Sequence, residues 1–264
     1  MRALPLLLAT VAALWCGQNL LLRHAGLPMR WRIGPGDLPA RHRHANRFLT
    51  NCILAGTLLL YPILVNTSPL DYYLKLFPGG RQPGELIWGL AAATLYLLAL
   101  FLAWTLSDNV RFRARRRPLQ IARRLAGVPL TAGLAALLEE LLFRGVLLAD
   151  LQTTLSTPPA VILAAFIFAA AHYLRPVKRY WTFPGHVGLG MLLCLAFVWS
   201  GSLWLPVGLH AGGVLVLMGI RPLIRYTGPA WLVGASIFPY AGGAGLIGLA
   251  LLTLNIWRRY CGVG

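Results

Sequence analysis

Two adjacent glutamates, Glu139 and Glu140, sit inside an apolar run that opens Leu134-Ala135-Ala136-Leu137-Leu138 and closes Arg144-Gly145-Val146-Leu147-Leu148. A charged side chain at bilayer depth costs roughly 2.5–3.5 kcal/mol even on the lenient insertion scale, so this trio must face protein rather than lipid. The chain has only seven acidic residues, and these two alone lie in the interior of a membrane-length apolar stretch. Glu140 and Arg144 are four apart, which places them on one helix face where an ion pair can form. Glu139 is turned by about 100° from its neighbour and is free to address another helix. Gly145 leaves room for a close approach.

The remaining candidates are histidines. His172 closes Phe168-Ala169-Ala170-Ala171-His172, and His210 lies in Gly208-Leu209-His210-Ala211-Gly212-Gly213. His24, His42 and His44 belong to a basic loop and His186 to a span boundary, so only His172 and His210 of the six are placed within apolar spans. A lone membrane histidine is most often an interhelical hydrogen-bond partner. Two of them with a spare carboxylate on three spans support more: such a set in a dry site can bind a metal or activate a water as general base. Either route ends in hydrolysis.

These residues must be positioned by membrane helices. The chain has 264 residues, 58% hydrophobic and 12% charged, against about 25% charged in soluble domains. The expected fold is all-α: one membrane domain over 1–264, a polytopic bundle of about eight transmembrane helices. A span requires roughly 20 residues, and the apolar segments are 3–22, 48–65, 85–106, 125–149, 159–174, 187–200, 203–220 and 231–257, of which the sixth is short. The segment 3–22 reads as a retained helix, since no small-residue cleavage site follows it. Gly201-Ser202 implies a tight hairpin or a re-entrant piece, and Gly208-x-x-x-Gly212 a close helix crossing.

Net charge is +17. Eighteen Lys and Arg fall in the loops 23–47, 107–124, 175–186 and the loop after 220, against five at the other side. That asymmetry makes the basic loops cytoplasmic and both termini external. The charge then serves topology and contact with anionic lipid, and nucleic acid is not an expected partner. The expected location is a multi-pass cell membrane, specifically a bacterial inner membrane. Cys16, Cys52, Cys194 and Cys261 are isolated and read as small apolar residues.

Glu139-Glu140-x-x-x-Arg144, Phe168-x-x-x-His172 and His210 resemble, in order, the motifs of the CPBP family of intramembrane proteases, which includes CAAX prenyl endopeptidases and bacteriocin-processing proteins. The resemblance covers about residues 125–220. It implies an intramembrane endopeptidase in which Glu139 activates water with His172 as partner. Glu140, Arg144 and Phe168 would brace the site, and His210 would stabilise the oxyanion. Glu139, His172 and His210 would be the ligands if Zn²⁺ takes part, and otherwise no cofactor is implied. The substrate would be a peptide or protein entering from or near the membrane. One position departs: the family's His-x-x-x-Asn or His-x-x-x-Asp reads Val214 here. Loss of an oxyanion donor costs on the order of 10²–10³ in rate. Either another donor serves, or the chain is a non-proteolytic member that binds a peptide or partner protein.

Other hydrolase patterns are missing from the sequence, among them His-Glu-x-x-His. Ser200 and Ser202 read as turn residues rather than nucleophiles. A proton-coupled transporter using Glu139 would be expected to show internal pseudo-symmetry, and none stands out.

Overall fold

The computed structural model describes residues 1–31, 38–80, 82–113, 118–174, 180–235 and 238–262, without the Arg124 side chain. Of the loop cations counted above, Arg32, Arg81, Arg115, Arg116, Arg117, Arg175, Lys178 and Arg179 lie outside the described residues. The described chain is almost entirely helical. In order come α1 (Ala3–His24), α2 (Ala40–Leu64), the short α3 (Pro69–Lys75) and α4 (Gly84–Leu106). After α5 (Pro118–Ala126), α6 (Val128–Glu140) runs into a π-helical stretch (Leu141–Leu148) and then α7 (Ala149–Leu151). α8 (Thr157–Ala171), α9 (Phe183–Ser200), α10 (Trp204–Ile220), α11 (Ala230–Val233) and α12 (Gly243–Tyr260) complete the set.

Among the described residues, four helical segments are long and apolar enough to cross a membrane: Ala3–His24, Ala40–Leu64, Gly84–Leu106 and Tyr180–Ser200. Thr157–Ala171 and Trp204–Ile220 are shorter apolar helices. Two segments depart from the sequence expectation. The 125–149 segment is not one α-helix, because its second half widens into π-helix. The 231–257 segment is not one helix: Gly234 takes φ 69°, Ala235 and Phe238 form a β-bridge, Pro239–Ala241 forms a 3₁₀ turn, and α12 starts only at Gly243. A left-handed φ of that kind is open to glycine and strained for other residues.

Side-chain volume explains the packing around the candidate residues. α10 lies against α4, α6 and α9, while α9 also packs on α8 and α12. At the α4–α10 crossing a Cβ on Gly208 would meet the Leu86 carbonyl oxygen at 2.3 Å, and one on Gly212 the Leu90 oxygen at 2.5 Å. The Gly208-x-x-x-Gly212 pattern therefore sets the crossing that carries His210. Gly208→Ala is expected to lower the melting temperature of the purified protein, since the obstacle is backbone and overpacking costs about 1–3 kcal/mol. Gly133→Ala, with open space around it, is the control expected to leave the melt unchanged.

Two strands, β1 (Val110–Phe112) and β2 (Ile224–Tyr226), pair antiparallel with Arg111 opposite Arg225. They follow α4 and α10, so two of the basic loops share one end of the bundle. At the other end the Leu203 amide donates to the Leu76 carbonyl (2.8 Å) and the Trp204 indole to the Pro78 carbonyl (2.9 Å). Both termini lie at this second end. Arg2 reaches the Leu64 carbonyl, and Arg259 and Tyr260 reach Glu85 at the start of α4. Gly201 at φ 67° ends α9 and makes the α9–α10 connection a tight hairpin.

Candidate active site

The acidic pair divides by burial. Glu140 and Arg144 are fully buried, and Arg144 Nη1 donates to Glu140 Oε1 at 3.0 Å. The same guanidinium donates from Nη2 to the Gly190 carbonyl on α9 at 3.1 Å and lies 4.6 Å from the centre of the Phe168 ring. One cation thus ties α6, α8 and α9 together, which only the planar, multi-donor arginine side chain can do. α9 comes this close because Gly190 faces Ala165, with a Cβ there only 3.0 Å from the Ala165 Cα. Beyond the pair, the π-helical stretch buries Phe143, Val146, Leu147 and Leu148 against Ala160, Val161, Ala164 and Phe168. Single π turns inside α-helices occur frequently at functional sites. The close neighbour that Gly145 admits is the end of α3, through Leu76 and the Tyr72 hydroxyl on the Gly145 carbonyl.

Glu139 points the other way. Its side chain is 40% exposed, yet its Oε2 is buried and has no hydrogen-bond partner among the described residues. Two imidazoles face that oxygen: His210 Nε2 at 3.7 Å and His172 Nε2 at 4.0 Å. The three residues predicted to act together are brought together by α6, α10 and the carboxyl end of α8.

Hydrogen bonds on the far side of each ring determine what faces Glu139. His172 Nδ1 is 2.9 Å from the Phe168 carbonyl. A carbonyl only accepts, so Nδ1 carries the proton and Nε2 presents a lone pair. His210 Nδ1 is 2.7 Å from Glu140 Oε1, so it too donates to an ionised Glu140. With neutral rings, two Nε2 lone pairs and one carboxylate oxygen face one another. Separations of 3.7 and 4.0 Å exceed a direct hydrogen bond and suit a bridging water.

These groups open into a cavity of about 300 Å³ bounded by α4, α8, α9, α10 and α12. Its lining is mainly apolar, with Glu139, His172, His210, Tyr96, Tyr240 and Arg221 as the polar members. A largely apolar pocket with a few convergent polar groups is the usual form of a binding site. Val214 lines the same wall as His210, so the substitution lies inside the site.

The site lies in a segment that is similar to a known family. Residues 121–216 match the family model described as type II CAAX prenyl endopeptidase Rce1-like, in agreement with the CPBP family. This segment is similar to that family. No curated protein and no solved structure matches the chain. The Rce1-like segment holds Glu139, Glu140, Arg144, Phe168, His172, His210 and Val214, and ends before Tyr240. The described chain is thus largely helical, with several helices apolar enough for a membrane and a middle segment similar to the type II CAAX prenyl endopeptidases.

Three buried residues beyond the predicted set stand out in the structure. His186 stands at the start of a helix, as expected, and is buried there. It is 1% exposed in the first turn of α9, with its ring 4.9 Å from that of His172 and its Nδ1 3.0 Å from the Thr182 carbonyl. Its position beside Pro184-Gly185, where a helix starts, was the available signal. Asp150 is also buried. It accepts from the amides of Arg2 (3.1 Å) and Ala3 (2.9 Å) and from the Tyr61 hydroxyl (3.1 Å), fastening the start of α1 to the end of α7. Tyr240, folded back into the cavity by the turn after α11, left no local sequence signal.

Among the described residues no three His, Cys, Asp or Glu side chains are placed to hold one metal ion. Zinc ligands stand about 2.0–2.2 Å from the ion, so one zinc held by Glu139, His172 and His210 would draw these donors slightly closer than the 3.7 and 4.0 Å seen here. No step below passes through a metal.

Proposed function

We propose that the chain is an intramembrane endopeptidase of the CPBP type in which Glu139 activates water to attack a peptide carbonyl. The observation that carries this reading is the unpartnered Glu139 Oε2 facing two imidazole Nε2 atoms inside a cavity. A water among three acceptors has hydrogens to give and an oxygen lone pair left for attack. Glu139 takes its proton and His172 orients it. Glu140 and Arg144 act through position: they hold His210 by Nδ1 and fix Phe168 under His172. Once His210 is protonated at both nitrogens, the water keeps Glu139 and His172 as acceptors, while the ring donates to Glu140 from Nδ1 and offers Nε2–H to the substrate oxygen.

Cleavage follows as general acid–base catalysis. The water oxygen bonds to the carbonyl carbon, its proton passes to Glu139, and the carbonyl π electrons move to oxygen. Collapse breaks the C–N bond, and the leaving amine takes the proton back from Glu139. Binding without cleavage is not favoured, since it gives no use to three acceptors set around one point.

The basic loops that share the β1–β2 end are taken as cytoplasmic, in a bacterial inner membrane, with all eight apolar segments of one domain at membrane depth. Arg221, on the last turn toward that end, would then place the cavity mouth at the cytoplasmic side. The family description makes a prenylated peptide with a C-terminal CAAX sequence the first substrate to try. In proteoliposomes, a fluorescence-quenched reporter of that kind, with its unprenylated counterpart, is expected to be cut by the wild type. Cleavage is expected to survive a strong zinc chelator. Loss restored by added Zn²⁺ would replace the Glu139–water scheme with metal chemistry.

A further inference from the structure

The cavity contains a hydrogen-bond donor that the family motif does not supply. Tyr240 is 7% exposed and lines the cavity together with Glu139, His210 and Val214. It is close enough to Glu139 for the two groups to interact electrostatically. Its hydroxyl makes no hydrogen bond among the described residues, whereas the hydroxyl of Tyr96, also in this cavity, is committed to the Gly245 carbonyl at 2.7 Å. A buried phenol normally finds a partner, so a free one at a cavity wall calls for one from the ligand.

The backbone around Tyr240 is built to hold it there. Gly234 at φ 69° reverses the chain after α11, and Ala235 and Phe238 bridge across the turn. A Cβ on Gly185 would sit 2.6 Å from the Ala241 Cα, and one on Gly245 would sit 2.5 Å from the Tyr240 Cα. α9 and α12 therefore clamp this turn from both sides through two glycines. His186 lines the ring, at 5.6 Å between centroids.

We propose that Tyr240 donates the hydrogen bond to the oxyanion that Val214 cannot. The inference rests on the hydrolase reading and deepens it. When water adds to the peptide carbonyl and its proton goes to Glu139, negative charge appears on the former carbonyl oxygen. A phenol O–H is a donor at neutral pH, with an ordinary pKa near 10, and gives a hydrogen bond without transferring its proton. The valine at 214 and the tyrosine at 240 are then one exchange: the donor has moved from α10 to the turn before α12.

The test is Tyr240→Phe in proteoliposomes with the farnesylated CAAX reporter, or with a peptide found to be cut in cells if the reporter is inert. Removing the hydroxyl keeps the ring contacts. Expected is a fall in kcat on the order of 10²-fold with KM unchanged and the melting temperature retained. A peptide phosphinate, whose tetrahedral anion resembles the intermediate, should bind correspondingly less tightly. Adding Val214→Asn to Tyr240→Phe should recover at least tenfold of the lost rate. A wild-type kcat in Tyr240→Phe, alongside an inactive Glu139→Gln, overturns the role of Tyr240 and leaves the hydrolase reading standing. A rate loss that tracks a lowered melting temperature, or that Val214→Asn does not relieve, also overturns it. A wild type that cleaves nothing removes both.

Discussion

Glu139→Gln is expected to reduce turnover on any true substrate by about 10²–10⁴-fold, with the protein still inserted and folded. The amide has nearly the shape of the carboxylate and lacks its basicity, so water loses its proton acceptor. General-base catalysis contributes typically 10²–10⁴-fold. Each imidazole commits Nδ1 to a fixed partner, Phe168 O and Glu140 Oε1, and keeps Nε2 toward the same point, so a rate loss within that range is expected. The side chain is 40% exposed and makes no hydrogen bond through Oε2, so folding should not suffer. The checks are kcat in proteoliposomes and the thermal melt of the same preparation. Full activity in this variant would remove Glu139 from the chemistry.

Arg144→Met should behave in the opposite way, losing the fold before the chemistry. Glu140 would keep its charge in a fully buried position with His210 alone beside it, and the Gly190 carbonyl would lose its donor. Removing one partner of a buried ion pair costs about 3–5 kcal/mol because the other charge is stranded. The double replacement Glu140→Gln with Arg144→Met is expected to recover much of that loss, which a double-mutant cycle on the melt would show. Arg144→Lys should recover little, since one ammonium cannot span Glu140, Gly190 and the Phe168 face. Equal melts for wild type and Arg144→Met would mean the pair carries no structural load.

Much of this site was legible because polar residues are conspicuous in apolar segments. Glu139, Glu140, Arg144, His172 and His210 stood out by the cost of burying them, and helical spacing separated Glu140 from Glu139. Gly208 and Gly212 pointed to the α4–α10 crossing because small residues at that spacing admit a second backbone. The π-helical widening after Glu140 had no signal, as neither proline nor a glycine pair marks it. His186 and Tyr240 were hidden for another reason. Each reaches the site by tertiary packing, His186 from a helix start and Tyr240 through the Gly234 reversal that interrupts a run read as one span.

The most direct measurement is a comparison of membrane and cytoplasmic peptides, by mass spectrometry, between cells carrying the wild-type chain and cells carrying Glu139→Gln at equal abundance. The expected result is a set of cleaved peptides found only with the wild type, with their intact precursors accumulating in the variant and no change in the amount or melting behaviour of the protein. Indistinguishable peptide profiles would contradict a Glu139-dependent endopeptidase.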